Sequence, residues 1–105
     1  MVHAAYWKYV VRRRLAGEAR GSFPLKGSNW FERPTERTER AWRADVLLLE
    51  QTHRALRDAV AKLTPAQLRR KIGEGKNAAW LISGAAAHDL YHAGQIQLLK
   101  RLCQG

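Results

Sequence analysis

The stretch from Ala79 to Cys103 constrains this chain more than any other, and it reads as one long helix. Within it Leu81, Ala85, His88, His92, Ile96, Leu99 and Cys103 recur at alternating steps of four and three. They therefore form a single stripe down one helix face. Two histidines stand in that stripe where leucines are expected. One turn apart, both imidazoles can address one ion, which would satisfy nitrogens that an apolar layer otherwise desolvates. The bland reading is a hydrogen-bonded histidine at the edge of a core, the usual fate of a single one. The pair also lacks the glutamate of the metalloprotease pattern, since Asp89 and Leu90 follow His88.

An ion site with an open position needs a third protein ligand. His3 and His53 are the candidates, and both fall on faces that the pattern turns inward. His53 is centred on its stripe, which favours it slightly, but spacing alone leaves the choice open.

The remaining segments predict an all-α fold. A first helix spans about Val2 to Ala16, closed by Gly17, with His3, Trp7, Val10 and Val11 on one face and Lys8, Arg12 and Arg13 around the other side. Gly21 to Pro34 is a loop rich in turn residues. Phe23, Leu25, Trp30 and Phe31 punctuate it, so it packs on the domain as a tethered crossover. A second long helix is expected to start near Thr35. It carries Trp42, Val46, Leu49, His53, Leu56, Val60 and Leu63 as a bundle-type stripe. Thr64-Pro65-Ala66-Gln67 is a capping box with proline at the first helical position, starting a short helix to about Arg70. Ile72 to Asn77 turns into the last helix. Three long helices and a short one leave room for a fourth long helix that the chain does not supply.

A length of 105 residues makes one domain, 1–105. No run approaches the ~20 apolar residues of a membrane span. The first residues show no signal-peptide layout, and one cysteine permits no internal disulfide, both fitting the cytoplasm. Nineteen Lys and Arg against nine acids give a net charge of +10. Such charge suits nucleic acid or an anionic small molecule. The bases are nevertheless spread through every segment, without a nucleic-acid-binding fingerprint, and Glu32 to Glu39 interleaves acids as on a solvated helix. An ordinary basic surface is the better reading.

The string His88-Asp89-Leu90-Tyr91-His92-Ala93-Gly94-Gln95-Ile96, followed by Lys100 and Arg101, resembles the C-terminal signature of the DinB/YfiT-like family. Trp80-Leu81, the Leu63-Thr64-Pro65 turn and the run Pro24 to Ser28 are similar to members as well. The resemblance covers nearly the whole chain and is most specific at the histidine string. It implies a DinB-like up-and-down or crossover four-helix bundle that binds a divalent ion through three histidines. On that mapping the metal ligands are His3, His88 and His92, and His53 becomes a core or edge residue. Family members carry a helix ahead of the one that bears the first ligand, and here it is missing. The chain thus looks N-terminally truncated relative to the family, and a homodimer is expected to complete the bundle.

The resemblance further implies a metal-dependent hydrolase or a transferase using a low-molecular-weight thiol, with zinc or nickel as the ion and iron or copper as further choices. A small thiol or an anionic small molecule is the corresponding partner. The alternative is a non-catalytic metal-binding or stress-related interaction protein, with nucleic-acid binding third. Among supporting residues, Gln95 is placed to reach a ligand imidazole, and Asp89 is expected on the surface. Gly84 and Gly94 are expected at close helix approaches, and Tyr91 beside the site. Cys103 lies about three turns beyond His92, too far to ligate with it.

Overall fold

A computed structural model describes residues 1–18, 23–25, 27, 29–73 and 75–104. The architecture is all-helical: α1 (Val2–Ala16), α2 (Glu39–Ala61), α3 (Pro65–Arg69) and α4 (Ala78–Gln104). Gly21, Ser22, Lys26 and Ser28, which belong to the predicted loop and to the family-like run within it, lie outside the described residues.

Helix α1 is the hub. It lies between α2 and α4, and α3 rests on α4. Of the nine buried residues among those described, six are its own: Val2, Ala5, Lys8, Val10, Val11 and Leu15. A helix enclosed from both sides has no wet face along its middle. Hence Lys8, expected among the solvated bases, is only 5% exposed. Its ammonium pairs with Asp89 of α4 and donates to Nδ1 of His53 on α2, 3.2 Å away. Asp89 is correspondingly a half-buried partner of that lysine rather than a free surface acid.

Helix α1 stops where the sequence says. Gly17 adopts the left-handed conformation (φ 71°), and the amides of Gly17 and Glu18 return to the carbonyls of Arg14 and Arg13. Helix α2 starts later than expected. Thr38, not Thr35, is the cap, its hydroxyl accepting from the amide of Ala41 at 3.1 Å. Between Phe31 and Ala41 no side chain is apolar except that of Pro34, so an earlier turn would bury nothing. The approach segment is instead held by an ion pair of Arg33 with Asp45. Both bonds of the Thr64/Gln67 capping box are present in α3. The turn after it closes through a bridge between Lys71 and Asn77, and Asn77 Oδ1 then caps α4 by accepting from the Trp80 amide at 2.8 Å.

The core is small and sits at one end. Val11 and Leu15 of α1 meet Leu56 of α2 and Ala78 and Leu81 of α4, with Val60, Leu63, Ile72, Ile82 and Ala85 packed around them. Since Leu15 lies near Ala78 while His3 lies near His88, α4 runs antiparallel to α1. The 27 residues of α4 rise about 40 Å, against about 22 Å for the 15 of α1. The last turns of α4 therefore extend past Met1. There Leu90, Tyr91, Ile96, Leu98, Leu99 and Leu102 are all more than half exposed, and the predicted inward stripe is bare beyond His92.

The crossover packs as expected through its aromatics. Phe23 and Phe31 are 5.3 Å apart by ring centroid, and both stand edge-on to Tyr6, at 5.5 and 5.3 Å.

Candidate metal centre

The antiparallel pairing of α1 with α4 brings three histidines together at the open end of the bundle. His88 and His92, one turn apart on α4, have their Nε2 atoms 3.0 Å apart. Nε2 of His3, from the first turn of α1, lies 3.1 Å from that of His88. All three residues are half-buried, and their facing ring nitrogens lie within 4.8 Å of one another. Among the described residues His53 is outside this cluster, exposed and bonded to Lys8. Cys103 is likewise exposed and remote.

The outer nitrogens show how the rings are held. Nδ1 of His3 donates to the backbone carbonyl of Asn29 at 2.9 Å. A carbonyl only accepts, so the neutral ring keeps its lone pair on Nε2, facing the cluster. Nδ1 of His92 donates to Oε1 of Gln95 at 2.7 Å, and the Gln95 amide is oriented by donating to the Tyr91 hydroxyl at 3.3 Å. This ring too presents Nε2 as an acceptor. Burial holds the His88 imidazole below its ordinary value of 6.5, helped by His92 and His3; Asp89 acts in the opposite sense and Lys8 adds to the lowering. His88 thus favours its neutral form.

Two lone pairs aimed at a third imidazole cannot both be satisfied by the one proton its Nε2 can carry. A cation satisfies all three at once. Metal–imidazole bonds of about 2.0–2.1 Å put adjacent donor nitrogens about 3.0–3.4 Å apart, a range that both pairs involving His88 meet, while all three ligand atoms lie within 4.8 Å of one another.

The matched family model is that of the DinB superfamily, over residues 1–96, which spans the whole cluster. The chain belongs to the DinB superfamily. Neither the search of curated proteins nor that of solved structures gave a match.

In this DinB-superfamily chain, the sequence pattern missed the residues that hold His3 from outside the helices. Asn29 has a positive φ of 66°, a conformation asparagine tolerates better than most side chains. That turn aims its carbonyl at His3, while its side-chain oxygen accepts from the Trp7 indole at 2.8 Å. Trp30 stacks on the His3 ring at 3.9 Å between centroids and 6° between planes, its outer face open to solvent. The Gly-Ser-Asn turn signal was legible; its target was not. Gly84 and Gly94 correct another expectation. A Cβ at either would meet nothing within 4 Å, so neither serves a close helix approach.

Along the same face runs an open cavity of about 470 Å³ between α1 and α4. His3 and His88 stand at one end and Arg14 and Trp80 at the other, with Trp7, Val10, Val11, Leu81 and Ala85 along the walls.

Proposed function

We propose that this DinB-superfamily chain binds a divalent metal ion through Nε2 of His3, His88 and His92 and uses it as an enzyme of the hydrolase or thiol S-transferase kind. The observation that supports the reading is that Nε2 of His88 lies 3.0–3.1 Å from Nε2 of both His3 and His92, with the outer nitrogens of those two rings already engaged as donors. Neutral imidazoles from two helices form a donor set suited to zinc or nickel, with iron and copper compatible as well. An ion held by three such ligands keeps open positions and acts as a Lewis acid toward water, a thiol or a substrate oxygen.

The chain's own groups supply the rest. Asn29 and Gln95 fix the two outer rings, so little ordering is left to occur on binding. The Trp30 indole covers one face of His3, and the cavity beside the cluster offers a substrate a largely apolar bed. A small thiol or an anionic small molecule is the partner class that this arrangement suits.

The bare apolar end of α4 supports a second element of the proposal. Six large apolar side chains exposed along about three turns are more than a solitary helix end in water usually shows. A second copy of the chain covers them, so that residues 1–105 act as one domain within a homodimer. The same surface supports the competing reading, a metal-binding interaction protein without turnover. No helix among the described residues is long and apolar enough to cross a membrane. The single cysteine fits the cytoplasm as the place of action.

Elemental analysis of purified protein tests the metal. About one zinc or nickel per chain is expected, falling to background in the double substitution His88→Ala/His92→Ala. Stoichiometric metal retained by that variant refutes the site. Chelator-sensitive turnover in a panel of thiols with electrophiles, and of hydrolysable esters and amides, separates the enzyme from the binding protein.

A further inference from the structure

The cavity beside the histidines has an organisation of its own. Its walls are two antiparallel helix faces: His3, Trp7, Val10, Val11 and Arg14 on α1, and Trp80, Leu81, Gly84, Ala85 and His88 on α4. On each helix every one of these residues has another three or four positions away, so each set is one continuous face. Polarity is confined to the ends and the rim. The histidines, with Asn29, lie at one end and the guanidinium-bearing Arg14 at the other. Among the described residues no acidic side chain lines it. The basic end is reinforced by Lys76, whose ammonium sits 4.4 Å from the centre of the Trp80 ring. Among the described residues Arg14 has no carboxylate partner, as is true of most of the arginines, so its guanidinium is available to an anion in the slot.

Gly84 lines the middle of the slot. It stands one turn before His88, and a Cβ there would project into open space. A helix interior otherwise favours alanine over glycine, so the missing side chain has a helical cost and leaves the slot clear. The volume of about 470 Å³ is that of a small-molecule pocket rather than of a packing defect.

We infer that this slot binds an amphipathic carboxylate lengthwise, with the carboxylate on Arg14 and the opposite end of the apolar body at the histidine cluster. Arg14 and His3 are eleven residues apart on one helix, about 16 Å along the axis. Allowing for the reach of the arginine side chain, the slot suits an aliphatic acid of medium length or an aryl-alkyl acid. The inference rests on the proposed metal site for its chemical consequence: the reactive group of a substrate would be at the end remote from its carboxylate. Binding itself requires no ion.

Decanoate is the probe, with decan-1-ol as the uncharged control, followed by the fluorescence of the slot tryptophans in metal-free and zinc-loaded protein. Saturable binding of decanoate is expected in both. Arg14→Glu, on an exposed side chain, should weaken decanoate at least tenfold and leave decan-1-ol unchanged. Gly84→Leu should abolish both, with zinc still bound stoichiometrically. Gly84→Ala should raise the melting temperature while weakening decanoate severalfold, so a misfolded leucine variant does not remove the test. Decanoate binding that ignores Arg14→Glu and Gly84→Ala overturns the inference. So does a slot that excludes the probe because a second copy fills it, seen as a dimer that Gly84→Leu dissociates. Zinc bound without decanoate defeats the slot alone, and decanoate bound without zinc defeats the metal site alone.

Discussion

Nδ1 of His3 donates to the carbonyl of Asn29 at 2.9 Å, so a loop residue 26 positions away sets the tautomer of a histidine in the first helical turn. The same asparagine uses its side chain on Trp7, one turn further along α1. One residue thereby fixes the ring that α1 contributes and its neighbour. This arrangement matters because the first turn of a helix has no preceding turn to brace its side chains.

Asn29→Ala removes the Trp7 bond and places a less tolerant residue at φ 66°. We expect a loss of about 1–2 kcal/mol in stability. Metal affinity should fall about tenfold, as for other residues that orient ligands. Asn29→Gly keeps the backbone turn and its carbonyl, so its effect on metal should be smaller. Calorimetric zinc titration and thermal unfolding check both; wild-type affinity in the alanine variant would show that His3 does not depend on the loop.

Lys8 and Asp89 should respond unequally to removal. Lys8 is buried, whereas Asp89 keeps 38% of its side chain exposed. Asp89→Ala leaves a buried ammonium with only His53 beside it, which should cost about 2–3 kcal/mol. Lys8→Met replaces the charge by a chain of similar length and leaves a carboxylate that water can reach, for a cost of about 1 kcal/mol or less. Urea denaturation of the two variants gives the order directly, and a larger loss in Lys8→Met would contradict this account of the pair.

How the chain divides into helices was legible because periodicity, Gly17, the Thr64/Gln67 box and the 72–77 turn act locally. The histidine pair was legible for the same reason, as a departure from a stripe on one helix. The third histidine was not legible in the pattern, where His3 and His53 both lie inward; the family resemblance pointed to His3, and the antiparallel register of α1 with α4 is what brings it to the pair. Lys8 and Asp89 were misplaced because facing assignments assume one wet side per helix, and α1 lies between two others. The loop's grip on His3 depends on a backbone carbonyl, which has no signature in side-chain type.

The end of α4 gives a prediction about assembly. Leu98 and Leu102 lie on one face, one turn apart, and are 58% and 68% exposed. They stand about 9 Å or more along the axis from His92. Leu98→Glu with Leu102→Glu should convert a dimer to a monomer in analytical ultracentrifugation and leave zinc stoichiometry unchanged. A wild-type protein that stays monomeric at about 100 µM would remove the second copy from that surface.

Acid should affect the metal-free and the loaded protein differently. Folding lowers the affinity of His88 for a proton, chiefly by burial and then by His92 and His3, from an ordinary value of 6.5. At pH above 6.5 neither the folded nor the unfolded chain carries that proton, and the stability of the neutral ring is fully present. As pH falls through 6.5 the unfolded chain protonates first, so the metal-free protein loses stability until the folded ring titrates as well. His88→Gln should flatten this part of the profile. Loaded protein should be steeper, since metal competes with protons, by about tenfold in affinity per pH unit for each imidazole that must shed one. Denaturation of metal-free protein at pH 5.5 and 7.5, beside zinc titrations at the same values, measures the two slopes. Stability that rises on acidification below 6.5 would mean that His88 is held as an imidazolium, which leaves no donor at the centre of the cluster.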